Sequence, residues 1–502
     1  MQQSPVALAG GAGVLKEAAP PRAAEPRRLA INFLFLSAGE STAKLLTFAT
    51  FSYLSRMLGP QYYGFLEFTL AVMVFFTLPV DLGLGAYGAR EIARNPDRDR
   101  AVRLLHEITG LRMVLALGSI VLLAVFIVVL RKPFDLKLLL AFYGVSLLGG
   151  PFLLQWFFQA HDQMQWVGAA SIIRQGGFGV LVFLMCRRGV PLPYIGMIEC
   201  GSILAVSCFC IWVTHRKMGF PWPWPTLRIG ALASHLSESV PIGLTEVAWA
   251  FMWYFSTVLL GLIFSDWSLG WFGASHRALM ALHTFVWLYF FNMLPSISRC
   301  VGLPRAHLLE LMDRSVRFTA WTGLLLAAVM AVLAHEILRI VYGWFFFGAG
   351  GIFAILVWML PVAMLSGHHR YILIAYKRQK QLLYATTISA VVAVVLGLVL
   401  VPLFRGVGAA WALLIANLVN FALVYFAVSK LVTEVPVHRQ VAGPLASLAV
   451  AAAVYFPLRH WNFWLALAAG IAVYSAGLWL EDGPRLAAFV RLIARRTAAE
   501  PA

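Results

Sequence analysis

Long blocks of apolar residues, separated by short stretches rich in Gly, Pro and charge, dominate the chain from residue 30 to residue 480. Each block is about as long as the 20 residues with which a helix crosses the hydrocarbon of a bilayer. The blocks do not alternate polar and apolar positions, as the strands of a membrane barrel would. The sequence therefore predicts fourteen membrane helices, at 30–56, 62–86, 104–130, 137–160, 166–186, 191–214, 239–264, 268–296, 318–342, 351–376, 382–404, 407–430, 441–457 and 461–480.

The composition excludes a soluble protein. Of the 502 residues, 61% are hydrophobic and only 12% are charged, whereas charged residues make up about 25% of a soluble domain. A soluble chain of this length would divide into several domains, and the polar residues are too few to cover them. The predicted fold is all-α, a polytopic membrane protein with about 14 transmembrane helices.

The basic residues predict the orientation of the chain. Net charge is +17, from 39 basic and 22 acidic residues. If the N-terminus is cytoplasmic, 25 Lys and Arg residues fall on the cytoplasmic side, 8 fall on the other side and six lie within the spans. This distribution obeys the positive-inside rule, so we expect both termini in the cytoplasm. The same charge suits anionic membrane lipids. No nucleic-acid partner is expected, because no basic stretch belongs to a soluble fold.

Charges within the spans are the candidates for function, because a charge at the bilayer centre costs roughly 2.5–3.5 kcal/mol even on lenient scales. On helix 1, Ser37, Glu40, Ser41, Lys44 and Thr47 share one face. Glu40 and Lys44 are four residues apart and can form an ion pair. The stripe either lines a water-filled cavity for a charged or hydroxyl-rich cargo, or is a self-contained pair between packed helices.

Three arginines within spans are further candidates for substrate binding. Arg277 in helix 8 has no carboxylate three or four residues away. Its planar guanidinium suits bidentate binding of a pyrophosphate, and the alternative is a pair with an acid on another helix, such as Glu40. Arg174 in helix 5 is similar. Arg370 lies near the end of helix 10, where its side chain can also extend to the membrane interface. Arg112 lies near a helix end too, and we expect it to extend to the interface.

Three acids are candidates for pairing or ion coupling: Glu40, Asp81 at the end of helix 2, and Glu246 in helix 7. Glu246 follows Pro241 and Gly243, which should loosen or bend the helix. An acid beside a bent membrane helix suits a proton or cation relay, and a hydrogen-bonded structural role is the alternative. We expect no cofactor, with coupling to protons and coupling to sodium both open.

Signatures of catalysis are missing from the sequence. It contains no GxxxxGK[ST], HExxH or GxSxG motif. His368 and His369 are adjacent and point to different helix faces, which is poor geometry for a metal site. The five cysteines form no CxxC pair and suit apolar packing. We therefore expect no enzyme, no catalytic residues and no metal site.

Residues 53–94 and later stretches carry a family resemblance. The opening pattern is an Arg, a Leu-Gly-Pro, a Tyr-Gly, an Asp-Leu-Gly-Leu and an Arg-Glu, here Arg56, Leu58–Pro60, Tyr63–Gly64, Asp81–Leu84 and Arg90–Glu91. Similar stretches follow at 273–282, 294–299, 337–343 and 405–420. These motifs resemble bacterial polysaccharide flippases, the Wzx-type exporters of lipid-linked oligosaccharides in the MOP superfamily. Two departures are Ser256, where the family often has an acid, and Arg405, where an aromatic residue is usual.

The resemblance implies two six-helix lobes in a MATE-like V around a central cationic cavity, with two further C-terminal helices. The chain then divides into a disordered cytoplasmic N-terminus (1–28), a first lobe (29–215), a cytoplasmic linker (216–238), a second lobe (239–431), helices 13 and 14 (432–480) and a cytoplasmic C-terminus (481–502).

The resemblance also implies a function. The protein is expected to flip an undecaprenyl-pyrophosphate-linked oligosaccharide, a precursor of O-antigen, exopolysaccharide or capsule, across the bacterial cytoplasmic membrane by alternating access. Arg277, Arg174, Lys44 and Arg370 would neutralise pyrophosphate or acidic sugars. Protein partners would be a polysaccharide polymerase and a chain-length regulator. The alternatives are a cation-coupled multidrug antiporter, a lipid II flippase, and a membrane glycosyltransferase or polymerase, which would need a large outer loop.

Overall fold

The computed structural model describes the backbone of residues 26–499 and the side chains of residues 39, 41–228, 230 and 233–483. All regular secondary structure within these residues is helical. The helices are α1 (Pro26–Asp81), α2 (Leu84–Arg94), α3 (Arg98–Val129), α4 (Phe134–Val145), α5 (Gln155–Ala160), α6 (Met164–Met185), α7 (Leu192–Trp212), α8 (Ile229–Ile263), α9 (Trp267–Arg299), α10 (Arg305–Val332), α11 (Ala334–Tyr342), α12 (Gly350–Leu356), α13 (Met359–Ala375), α14 (Gln379–Leu431), α15 (Val437–Leu458) and α16 (Phe463–Ala499).

Twelve helical segments of the described chain are long and apolar enough to cross a membrane. Two of them, Ser41–Arg94 and Gln379–Leu431, have 54 and 53 residues, about 80 Å of helix at 1.5 Å per residue. That is more than twice the ~30 Å hydrocarbon core. Gly59 (φ 71°) breaks the first segment and Arg405 (φ 51°) breaks the second. A short turn at Leu82 and Gly83 further separates α2 from α1 at the end of the first segment. Each segment therefore crosses twice, and the predicted fourteen crossings are confirmed.

Two elements differ from the expected boundaries. α8 begins at Ile229, ten residues before the expected start of helix 7, because a helix can continue out of the membrane where hydropathy no longer reports it. It is also continuous through Pro241, which lies inside the helix. At the other end, the α16 backbone stays helical to Ala499, beyond the expected end of helix 14.

The helices form two groups with an appendage. α1 to α7 pack mainly among themselves, as do α8 to α14, whereas α15 and α16 pack on each other and on α10. The indole of Trp321 on α10 donates to Asp482 on α16 at 3.0 Å, and the hydroxyl of Tyr474 donates to the Trp321 carbonyl at 2.9 Å. Two six-helix lobes and two C-terminal helices are thus present, as the resemblance implied.

The two lobes touch at both ends of the bundle. We call the end that contains α2, the start of α3, the 218–228 linker and the start of α8 the basic face. The end that contains Gly59 and the α3–α4 and α8–α9 connections is the opposite face. On the basic face, a methyl group on Gly83 would lie 2.5 Å from the Ser239 carbonyl oxygen. On the opposite face, one on Gly64 would lie 2.8 Å from the Gly270 nitrogen. Only glycine allows such approaches, and the implied V is closed at both ends here.

Candidate functional site

The candidate site is built around an ion pair between the lobes. Arg277 on α9 donates from Nε to Glu67 Oε1 at 2.5 Å and from Nη2 to Glu67 Oε2 at 3.0 Å, and Glu67 lies on the second half of α1. The side chains are 20% and 7% exposed. The guanidinium also lies 3.5 Å from the centre of the Phe51 ring. A bidentate, largely desolvated pair with a cation–π contact therefore joins the two lobes.

Small residues on α9 make this approach possible. Gly273 lies one turn before Arg277, and a methyl group there would lie 2.5 Å from Cγ of Glu67. Gly273 thus lets α1 approach closely, and the longer Arg277 side chain extends from the next turn. Ser275 is fully buried and donates to the Ala349 carbonyl at 3.0 Å, which fixes this part of α9 against the second lobe.

Buried phenols surround the pair. Tyr63, Tyr143 and Tyr342 interact electrostatically with both Arg277 and Glu67. Within the described residues, the hydroxyls of Tyr143 and Tyr342 have no hydrogen-bond partner. Buried polar groups without partners are rare and ask for an explanation. Such hydroxyls are typical of a binding site in which a hydroxyl-rich ligand or water supplies the missing hydrogen bonds when the protein adopts another conformation.

Arg174 forms a second ion pair inside the first lobe. Its guanidinium lies 3.3 Å from Oε1 of Glu199 on α7, and the side chains are 43% and 13% exposed. Next to Arg174, Gln175 accepts a hydrogen bond from the Thr47 hydroxyl on α1. Tyr143 also interacts electrostatically with Arg174 and Glu199, so the same phenol interacts with this pair and with the Arg277 pair.

The other predicted cations are not part of this cluster of pairs. Lys44 is exposed on the first half of α1, and its expected partner Glu40 has a side chain outside the described residues. Arg370 is exposed on α13, in the second lobe, and interacts electrostatically with His283 on α9. Of the four predicted cations, Arg277 and Arg174 both interact with Tyr143, whereas Lys44 and Arg370 are exposed.

The remaining predicted acids have different environments. Asp81 accepts a hydrogen bond from the Gly85 amide at 3.1 Å and pairs with Arg112. Arg112 is only 5% exposed, so the expectation that it extends to the membrane interface is wrong. Its charge is satisfied by an acid on a neighbouring helix instead. Glu246 is exposed, and no described side chain forms an ion pair with it.

Sequence reasoning missed Glu67 as the partner of Arg277. A usable signal was depth. Glu67 lies eight residues after the break at Gly59, and Arg277 lies ten residues after the start of α9 at Trp267. At 1.5 Å per residue these are about 12 Å and 15 Å from the opposite face. An acid and a base buried at similar depth on different helices are a candidate pair, although depth does not reveal which helices adjoin.

Further interlobe contacts close the opposite face above this pair. Lys132, in the α3–α4 connection, donates from Nζ to the Phe264 carbonyl at 3.0 Å and to the Ser265 hydroxyl at 2.7 Å. Burial lowers the pKa of Lys132, and nearby Asp266 offsets this in part. Arg56 donates from Nε to the Val341 carbonyl at 3.3 Å.

Comparisons with known proteins agree with this architecture. The model of the family described as "Polysaccharide biosynthesis protein" matches residues 29–301, and that of "Lipid II flippase MurJ" matches residues 228–481. A "Putative O-antigen transporter" of Escherichia coli (strain K12) is 20% identical over 391 residues, which cover 76% of this chain and 92% of that protein.

Solved structures share the fold. "Lipid II flippase MurJ, inward closed conformation" superposes with a TM-score of 0.71 at 16% identity and covers 90% of this chain and 100% of its own. An inward-facing "multidrug resistance MATE family transporter of the MOP superfamily" gives a TM-score of 0.63 at 15% identity and covers 80% and 98%. The predicted resemblance to bacterial polysaccharide flippases is confirmed by the family models and by the similarity to the O-antigen transporter.

Proposed function

Because the chain belongs to the polysaccharide biosynthesis protein family, with a second half that also matches the MurJ model, we propose that it flips a lipid-linked oligosaccharide across the membrane by alternating access. The cargo is an undecaprenyl-pyrophosphate carrying the repeat unit of an O-antigen, exopolysaccharide or capsule. The O-antigen transporter similarity supports this substrate class. The supporting observation in the molecule is the position of Arg277 between the lobes.

Arg277 links cargo binding to opening. In the closed state two of the N–H donors of its guanidinium are bound bidentately by the Glu67 carboxylate. A phosphate group has the same spacing of oxygens and a larger charge, and it competes for the same two donors. When pyrophosphate takes Arg277, the contact between α1 and α9 is lost and the opposite face opens. The cargo's binding free energy is then used to change the conformation, as a ligand-driven switch requires.

Other residues take supporting roles. Arg174 faces the same region and neutralises acidic sugars or the second phosphate, and the hydroxyls of Tyr143 and Tyr342 hydrogen-bond the glycan. Lys44 and Arg370 attract the headgroup at the surfaces where they are exposed. The prenyl tail stays in the lipid, because its burial in a polar site would forfeit its favourable transfer into hydrocarbon.

The orientation follows from charge. The basic face contains Arg90, Arg94, Arg98, Arg100 and Arg103, and the positive-inside rule assigns it to the cytoplasm. The membrane is the bacterial inner membrane, where the cargo is made. A polymerase and a chain-length regulator act on the cargo after it arrives on the far side. Transport is coupled to an ion gradient, with Asp81, Glu246 or Glu40 as acids that could carry it.

Two related functions are the alternatives. A lipid II flippase is favoured by the MurJ model over residues 228–481, and lipid II has the same pyrophosphate headgroup. A multidrug antiporter would require a deep acid to bind a cationic drug. Buried Ser256 stands where such an acid is common, and the buried acid Glu67 is already paired with Arg277.

The test uses a strain that requires this gene for its surface glycan. The wild-type gene restores the polymer, and Arg277→Ala reduces it by about tenfold or more at equal protein level, since tenfold is only 1.4 kcal/mol. Arg339→Ala is the matched control, because Arg339 lies on the same face in a half-exposed pair with Glu336. Wild-type polymer from Arg277→Ala removes Arg277 from the site. If the gene restores growth to cells depleted of their lipid II flippase but does not restore polymer export, the protein is a lipid II flippase instead.

A further inference from the structure

A buried hydrogen-bonded chain joins the lobes on the basic face. His235 at the start of α8 contacts two residues of the first lobe. Its Nδ1 lies 3.0 Å from the Tyr87 hydroxyl on α2, and its Nε2 lies 3.0 Å from Oε2 of Glu107 on α3. Tyr87 and His235 are each 7% exposed, and the Glu107 side chain is 13% exposed. We call these three residues the latch.

The chemistry of the latch fixes where its protons lie. A carboxylate only accepts hydrogen bonds, so Nε2 of His235 carries the proton that it shares with Glu107. In the neutral imidazole, Nδ1 then accepts from the Tyr87 hydroxyl. A second proton on Nδ1 turns the ring into a double donor, and the Tyr87 hydroxyl rotates to accept. Both hydrogen bonds of the latch can therefore form whether His235 is neutral or charged, without a change in the positions of its heavy atoms.

The charged groups around the latch are themselves paired. Arg228 of the linker lies 3.8 Å from Glu107, and Glu238, one turn along α8, pairs with Arg90 on α2 at 2.6 Å. Glu91 on α2 pairs with Arg100 on α3 at 2.7 Å. Imidazole is the side chain that ordinarily changes charge between about pH 5 and 8. Within this set, His235 is the imidazole.

The latch must break when the basic face opens. Gly83 approaches Ser239 closely just beside it, so α8 cannot separate from α2 and α3 of the first lobe without losing both hydrogen bonds of His235. We propose that Tyr87, Glu107 and His235 form a proton-binding latch, and that the protonation of His235 sets how readily the basic face opens. The proton converts the contact with Glu107 into an ion pair, and charge-assisted hydrogen bonds are the stronger ones. Protonation tightens the latch and loss of the proton loosens it.

This role rests on the proposed transport cycle. In that cycle His235 is a proton-coupling residue in addition to the predicted acids Glu40, Asp81 and Glu246. A proton held by His235 keeps the basic face shut while the opposite face is used. Release of the proton to the compartment on the basic face then frees that face to admit the next cargo.

The test measures opening directly, without transport. The full chain is placed in lipid nanodiscs, and hydrogen exchange of the backbone amides in 84–94 and 229–240 is followed at pH 5.5 and 8 after correction for the intrinsic rate. We expect opening in the wild type to be about fivefold more frequent at pH 8, which corresponds to about 1 kcal/mol. His235→Gln donates to Glu107 and accepts from Tyr87 but cannot gain a proton, so its opening should not depend on pH.

His307→Gln is the matched control, since His307 is exposed at the start of α10 on the same face, and it should keep the wild-type response. His235→Leu should open more often at both pH values, and if this variant fails to fold the glutamine variant decides. A wild-type pH response in His235→Gln overturns the proposal, as does faster opening of the wild type at pH 5.5. A pH-dependent latch in a protein that exports no glycan would reject the proposed function and leave the latch standing.

Discussion

Replacing Glu67 by Gln should open the opposite face of the transporter. The substitution keeps the volume of the side chain but leaves the Arg277 guanidinium, 20% exposed, without its counter-charge. Breaking a buried pair by removing one partner costs about 3–5 kcal/mol. Because the amide oxygen still accepts one hydrogen bond, we take about 3 kcal/mol, which shifts the closed-to-open equilibrium roughly 100-fold. A wild type that is closed 99 times in 100 would then be open about half of the time.

Pulsed electron paramagnetic resonance between two spin labels measures this opening. Phe134 in the first lobe and Trp344 in the second are 74% and 69% exposed at the opposite face, and each can be replaced by a labelled cysteine in a chain whose native cysteines are serine. Glu336→Gln is the control, since its pair with Arg339 is half exposed and is worth about 0.5 kcal/mol or less. If Glu67→Gln gives the same distances as Glu336→Gln, the pair does not hold the opposite face shut.

Two further predictions use the same labels. Gly270→Ala should favour the open state, because its methyl group would overlap the Pro60 carbonyl oxygen in the closed state. Gly118→Ala on α3 is the control, with open space around the added methyl group, and equal behaviour of the two variants would contradict the prediction. Because burial lowers the pKa of Lys132, the closed state binds that proton less tightly than the open state. Raising the pH from about 8 towards 10 should therefore favour closure in the wild type relative to Lys132→Met, and an identical pH response of both proteins would show that the lysine plays no part.

Hydropathy and turn chemistry were enough to predict the number of membrane helices, whereas the two lobes were expected from the family resemblance. Fourteen crossings follow from apolar blocks of membrane length, and the break at Gly59 follows from a Gly-Pro pair between two of them. The residue type at position 405 does not predict the break there, because an arginine rarely adopts a positive φ. Its φ of 51° depends on the contacts that surround it in the folded chain. Its guanidinium donates to Asp266 at 2.7 Å, a contact that only the folded chain creates.

Only part of the candidate site could be predicted from the sequence. A lone Arg277 in an apolar span stands out because an unpaired charge there is costly. Its partner is on a helix 210 residues away in sequence, and helical spacing reveals pairs only within one helix. The latch was missed because His235 and Glu107 lie at helix ends, where polar residues are ordinary. Arg112 was misread for a related reason, since a position near a helix end does not show that Asp81 on another helix is close enough to pair.

The central claim is that Glu67 and the cargo's pyrophosphate compete for Arg277. The direct measurement is the affinity of the purified protein in nanodiscs for an undecaprenyl-pyrophosphate-linked oligosaccharide, compared between wild type, Glu67→Gln and Arg277→Gln. Competition predicts that Glu67→Gln binds at least about tenfold more tightly than wild type, because the closed state no longer reduces the apparent affinity. It also predicts that Arg277→Gln binds about tenfold or more weakly. Equal affinities of the three proteins would contradict the account.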